Sequence, residues 1–321
     1  MDSKDKRMLY ELSENARESR NMLAKKVRVS REVLDYNIKK LQKQGIIQGF
    51  QARINISNFV YGGYILLIQS LGLNKETENN LLVKIKDKGN TQYIGRLGGG
   101  YDYIIGFTVK DLLDLSDYVA FINSAFSNKK SKMTFLTMVR EFKDSFKSVF
   151  SVKDELNNLV SMPCIKEKIK TDKIDNLILE KLGSDCTIPS WKIADICKIT
   201  DVAIRKRIKR LIERKIILGF RTMVDLTKLG YEPNFLFLKL NVKNKTDEEE
   251  LIKYFQKNKE ITYVTKLIGQ YDYCITFLSK GNLELNEFIK NLRGRFKDIV
   301  SVESFHLFEM IYHTQLAKGF L

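Results

Sequence analysis

Apolar residues recur at helical spacing through the first forty positions. Met8, Leu9, Leu12 and Ala16 share one face, Leu23, Ala24 and Val27 a second, and Leu34, Ile38 and Leu41 a third. Ser30 stands where a hydroxyl caps the third helix. The run Ile46 to Arg53 then reads as a short strand pair or wing. From about residue 61 the period shortens, predicting strand 64–69, helix 76–88, strand 91–97, strand 101–109, helix 112–126 and strand 133–142. Three short helices at this spacing spell a helix-turn-helix. The βαββαβ order that follows is the ferredoxin-like plan, two helices over one face of a four-stranded antiparallel sheet.

The pattern then repeats. Sliding the chain by 170 residues superimposes Asp5 on Asp175, Leu12 on Leu182, Ala24 on Ala194, Ile38 on Ile208, Gly49-Phe50 on Gly219-Phe220 and Tyr101-Asp102-Tyr103 on Tyr271-Asp272-Tyr273, without a gap. Ile178, Leu179, Leu182 and Cys186 repeat the first helical face, and Thr200 repeats the cap before Ile204, Ile208 and Leu211. Strands and helices recur over 234–242, 247–257, 262–267, 271–278, 283–296 and 301–311. The expected fold is therefore α+β, a tandem duplication. Its parts are a winged helix-turn-helix (1–53), a ferredoxin-like domain (54–151), a polar, Lys-rich linker with Pro163 (152–174), a second winged helix-turn-helix (175–223) and a second ferredoxin-like domain (224–321). The sheet face away from the helices also needs cover. Leu66, Ile68, Phe107, Phe237 and Phe277 are read as its apolar residues, which makes pairing with the sheet of another such domain the expected solution, within one chain or between chains, and a homo-oligomer joined through these sheets the expected assembly.

Charge narrows the partner. Fifty-five Lys and Arg against 39 Asp and Glu leave a formal +16, a field suited to a polyanion. The third helix of each copy concentrates it. With the apolar stripe inward, the outer face carries Arg31, Tyr36, Lys39 and Lys40 in the first copy and Arg205, Lys206, Lys209 and Arg210 in the second. A recognition helix puts N-terminal side chains at base edges and its remaining cations near phosphates. Arg31, Glu32, Tyr36, Val202, Arg205 and Lys206 are thus candidate base readers, and Lys39, Lys40, Lys209 and Arg210 candidate phosphate clamps. Val202 suits a thymine methyl, and Glu32 can accept from cytosine. Ser30 and Thr200 open these helices, and Arg53 and Arg221 on the following strands are expected to reach the DNA backbone.

Little else in the sequence suggests chemistry. Cys164, Cys186, Cys197 and Cys274 show no C-x-x-C spacing, and His306 and His313 are the only histidines, so neither a metal, a cofactor nor an enzyme centre is expected. No apolar run approaches the roughly 20 residues of a membrane span, and the first ten residues are too polar for a signal peptide, so a cytoplasmic protein without membrane contact is expected. Gly95 to Gly100 lacks the Gly-Lys-Ser/Thr of a phosphate loop. Gly99 and Gly269, each two residues before Tyr-Asp, fit a hairpin turn needing positive φ.

The order of modules, with Leu-Ala-Lys-Lys-Val at 23–27, the helix from Ser30 to Leu41 leading into Gly45-Ile-Ile-Gln-Gly-Phe, Ile204 to Leu211 before Ile216-Ile-Leu-Gly-Phe, and Gly99-Gly-Tyr-Asp beside Gly269-Gln-Tyr-Asp, resembles the Lrp/AsnC (feast/famine) family over nearly the whole chain, twice. The resemblance implies a transcriptional regulator of double-stranded DNA, RAM-type domains that dimerise through their sheets, and an archaeal source. It also implies an amino-acid effector near the hairpins, at Gly99, Tyr101, Asp102, Gly269, Tyr271 and Asp272. Two departures stand out: Asn37 where the second copy has Arg207, and Lys215 in place of Gly45. The first implies a weaker first head. Siroheme decarboxylases resemble the same two-module plan and supply the enzyme alternative; an oligomerising or sensing scaffold without DNA binding is the third.

Overall fold

The computed structural model describes residues 3–56, 59, 62–150, 170–241 and 245–314. Most of the linker, with Pro163 and Cys164, lies outside them. The first copy contains α1 (Ser3–Glu14), α2 (Arg20–Val27), α3 (Arg31–Lys43), β1 (Ile47–Ile54), β2 (Gly62–Ser70), α4 (Lys75–Asp87), β3 (Thr91–Gly98), β4 (Tyr103–Val109), α5 (Leu112–Phe126) and β5 (Lys130–Asp144), then the single turn α6 (Lys147–Phe150). The second contains α7 (Lys173–Ser184), α8 (Ser190–Cys197), α9 (Asp201–Glu213), β6 (Ile217–Val224), β7 (Glu232–Leu240), α10 (Lys245–Lys257), β8 (Ile261–Ile268), β9 (Tyr273–Ser279), α11 (Asn282–Arg295) and β10 (Ile299–His313). The duplicated βαββαβ order is as the periodicity predicts.

The strand after each third helix does not fold back as a wing. β1 pairs antiparallel with β6 of the other copy, Gln51 opposite Arg221 and Phe50 opposite Thr222. A strand with one apolar face and no hairpin partner of its own finds the same strand in the duplicate. Flanking hydrogen bonds obey the 170-residue exchange: Ala16 N donates to Phe220 O (3.0 Å) and Cys186 N to Phe50 O (2.9 Å), Asn55 N to Ile216 O (2.8 Å) and Asp225 N to Ile46 O (2.9 Å). The apolar stripes of both helical triplets, Leu9, Leu12, Leu34 and Ile38 with Leu179, Leu182, Ile204 and Ile208, merge into one core with Phe50 and Phe220. The two heads are one packed body.

The two sheets, ordered β3-β4-β2-β5 and β8-β9-β7-β10, join at their edges through β5–β8 and β10–β3 to close an eight-stranded barrel. Its interior is filled by Ile65, Leu67, Ile104, Leu136, Phe237, Leu267, Cys274 and Leu307. Helices α4 and α5 cover Leu66, Ile68 and Phe107 outside, and α10 and α11 cover Phe277. Of the five residues assigned by sequence to the uncovered face, only Phe237 lies there. The other four sit under helices. Both faces are apolar, so composition does not set the parity that a one-residue shift reverses. The expected sheet pairing is met within one chain, so covering these faces requires no second copy.

Candidate nucleic-acid interface

Each head builds its third helix in the same way. Ser30 Oγ accepts from Val33 N (3.3 Å) and Thr200 Oγ1 from Ala203 N (3.2 Å), capping α3 and α9. Leu34, Ile38, Leu41 and Ile204, Ile208, Leu211 are buried, turning the opposite faces outward. Each helix closes on a left-handed residue, Gly45 (φ 71°) or Lys215 (φ 55°); the Lys adopts the same turn as the Gly it replaces. The outward faces expose the side chains of Arg31, Glu32, Tyr36, Lys39 and Lys40, and of Val202, Arg205, Lys206, Lys209 and Arg210. Lys39, Lys40 and Lys206 have no carboxylate partner among the described residues. Arg205 pairs with Asp201 (2.6 Å) and Lys209 with Glu213 (3.8 Å), both at i,i+4 on the surface, where such pairs contribute little and yield readily to a stronger anion.

Three cations are placed otherwise than sequence suggests. Arg210 Nη2 lies 2.7 Å from the buried carboxylate of Asp175, which Arg207 also contacts at 2.8 Å. These guanidinia fasten α9 to α7, so the extra arginines of the second head are largely neutralised from within. Arg53, expected at the DNA backbone, is buried against Glu141 (2.6 Å) and Asp144 (3.3 Å), and Arg221 Nη1 reaches Asp144 at 2.6 Å. Both arginines tie the β1–β6 ribbon to the barrel instead. With the Arg53 side chain buried and that of Arg221 nearly so, little water is left to solvate either cation, and each takes a carboxylate from β5. Despite burial, Arg221 and Arg53 hold the Asp144 carboxyl below its usual range.

Arg17 carries a role the sequence did not signal. From the turn after α1 it crosses to the second copy, donating to the carbonyls of Cys186 and Ile188 (2.8 Å to the latter) and to Ser190 Oγ (3.1 Å). Its counterpart at the 170 offset is Thr187, too short for the same reach, so the only hint was a mismatch in the repeat.

The hairpin residues turn inward. Gly99 (φ 121°) and Gly269 (φ 141°) take the left-handed turns expected of them. Asp102 accepts from Ser70 N (2.6 Å) and Oγ (2.8 Å), and Asp272 from Leu240 N (2.8 Å) and Lys239 Nζ (3.0 Å), an equivalent clasp in each copy. Tyr101 and Tyr271 are buried in the barrel, their hydroxyls engaged by Thr134 (2.5 Å) and Glu303 (2.7 Å). All four side chains thus have intrachain partners. His306 and His313 sit seven residues apart on β10, roughly 23 Å along an extended strand, and do not converge. No group of three or more His, Cys, Asp or Glu suited to a metal ion occurs among the described residues, and no helix among them is long and apolar enough to cross a membrane.

Comparison with known proteins places the molecule. A family described as winged helix-turn-helix DNA-binding matches residues 1–48. The HTH-type transcriptional regulator LrpA of Pyrococcus abyssi is 31% identical over 134 residues, 41% of this chain and 92% of that protein. The regulator FL11 of Pyrococcus furiosus is 35% identical over 122 residues, 37% of this chain and 77% of that protein. A solved structure of the siroheme decarboxylase NirDL covers 99% of this chain and 94% of its own at TM-score 0.66 and 11% identity, a likeness of fold. The chain belongs to the Lrp/AsnC family of HTH-type transcriptional regulators. Each regulator matches well under half of it, whereas the decarboxylase shares the full two-copy fold.

Proposed function

We propose that this chain is a sequence-specific DNA-binding transcriptional regulator that carries both reading heads of a dimer in one polypeptide. The observation that carries the reading is the pair of outward cationic helices, α3 and α9, on one packed body joined by β1 and β6. Arg31, Glu32 and Tyr36 in one head, and Val202, Arg205 and Lys206 in the other, face the bases; Lys39, Lys40 and Lys209 face phosphates. The two helices differ at nearly every exposed position, so the preferred site is two unlike half-sites rather than a palindrome. Two heads on one side of a duplex require half-sites about 34 Å, or one turn, apart, or a multiple of that. Selection of bound duplexes from a random pool, followed by hydroxyl-radical footprinting, tests this; two protected tracts of different sequence a whole number of turns apart are the expected result. A protein that binds no duplex at physiological salt, yet shifts the absorbance of added iron porphyrin, would transfer the reading to the enzyme alternative.

Amino-acid sensing at Gly99, Tyr101, Asp102, Gly269, Tyr271 and Asp272 forms the finer part of the proposal. Because their carboxylates and hydroxyls already have partners, an effector would act there by displacing those contacts. Thermal-shift titration with each free amino acid reads it out directly.

A further inference from the structure

The two heads differ in what spans their second and third helices. In the first, Arg20 at the start of α2 reaches across to Asp35 of α3 (Nε to Oδ1, 3.4 Å), an ion pair that spans the gap between the two helices. At the same places the second head has Ser190 and Arg205. Ser190 carries no charge to pair with Arg205 and its hydroxyl accepts from Arg17 instead (3.1 Å), and a groove of about 380 Å³ lies open between α8 and α9. Ile208 and Ile212 line it, and its charged lining is Arg17, Arg205 and Lys209 against Glu213 alone. Arg17 is held there by the carbonyls of the second copy, so one wall of this head is built by the other copy.

We propose that this groove seats one stretch of the DNA sugar–phosphate backbone, an additional clamp that the first head lacks. The inference rests on the DNA-binding reading above and deepens it. A helix in the major groove has a phosphate backbone running beside its flank. The groove lies on such a flank, beside the exposed face that carries Val202 and Lys206. An apolar floor between cations matches a deoxyribose edge carrying a phosphodiester, with the positive lining supplying the charge complement. The assignment moves Arg205 from the bases to the backbone, so its loss weakens binding to all sequences alike. It also makes the second head the tighter one through this groove, not through Arg207 or Arg210, which are held by Asp175.

The test measures binding of the full chain to a fluorescein-labelled 40-base-pair duplex of mixed sequence over a salt series. Ser190→Arg with Arg205→Asp builds the first head's bridge into the second and closes the groove. The slope of log affinity against log salt should become shallower by about 0.9 to 1.8, one or two phosphates. Arg20→Ser with Asp35→Arg opens the first head and should steepen the slope by about 0.9. Lys290→Gln on α11 makes the same one-unit charge change as the first variant far from the heads, and should leave the slope unaltered. Arg17→Gln, outside α9, should flatten it by about 0.9. If the parent slope is steep and neither double variant moves it, or Lys290→Gln moves it equally, the groove proposal is overturned while the DNA reading stands. A parent with no salt-dependent binding overturns the reading itself.

Discussion

Arg53 Nη2 sits 2.6 Å from Glu141 Oε1, joining the head ribbon to the barrel through a pair whose side chains are each less than a tenth exposed. A buried pair of this kind contributes little net stability relative to apolar replacements, but losing one partner strands a charge. Arg53→Ala alone should therefore destabilise by about 3–5 kcal/mol in denaturant unfolding, Glu141→Ala by less because Asp144 stays 3.3 Å from Arg53, and Arg53→Met with Glu141→Leu by much less than Arg53→Ala. Because Arg53 faces Glu141 rather than DNA, the double variant should keep the parent's salt slope; a reduced slope would return Arg53 to the backbone-contact set.

Lys206→Ala and Lys209→Ala should each flatten the salt dependence of duplex binding by about 0.9, and Lys39→Ala with Lys40→Ala by about twice that. Fluorescence anisotropy at several salt concentrations reads the slopes. An unaltered value excludes the residue concerned as a phosphate contact. Substitution is the right instrument here: deleting residues 1–53 would take β1 from β6 and open the core shared by the heads.

Gly269→Ala should be among the more damaging single changes in the hairpins. At φ 141° a side chain is strained, and its Cβ would stand 2.9 Å from Leu136 Cδ2 and 3.0 Å from the Phe135 carbonyl oxygen, which has no room to retreat. About 1–3 kcal/mol is expected. Gly99→Ala should be milder, since its nearest neighbour is the Phe305 ring at 3.2 Å. Urea midpoints that place the two variants in the opposite order would show that the hairpins are not held as described.

Burial, reinforced by Arg221 and opposed by Asp144, lowers the His313 imidazole from its usual 6.5 to about 4. The unfolded chain then binds the extra proton between those values. The contribution of His313 to stability is present above pH 6.5 and lost as the pH falls through 4. His313→Gln should reduce the acid sensitivity of unfolding in that window by one proton's worth, read from midpoints at pH 7, 5.5 and 4.5. Equal acid sensitivity of variant and parent would mean the imidazole titrates freely.

The linear order of residues determined the repeat, the elements and their sequence, because helical and strand periods are local properties written in neighbouring side chains. It also determined the outward cations of α3 and α9, since the buried stripe Leu34-Ile38-Leu41 and its copy fix the opposite face by geometry alone. What tertiary structure decided was every relation between the copies. The pairing of β1 with β6 needs a partner 170 residues away, and a strand cannot announce whether that partner is a hairpin or a duplicate. The parity of Leu66 and Phe107 was hidden because both faces of their sheet are covered, one by helices and one by the opposite sheet. Arg53, Arg210 and Lys206 look alike as letters. Burial beside a carboxylate fixes the first, a bridge to Asp175 the second, and only the third keeps its charge for an outside partner, because a cation's availability depends on which anions the fold brings within about 4 Å.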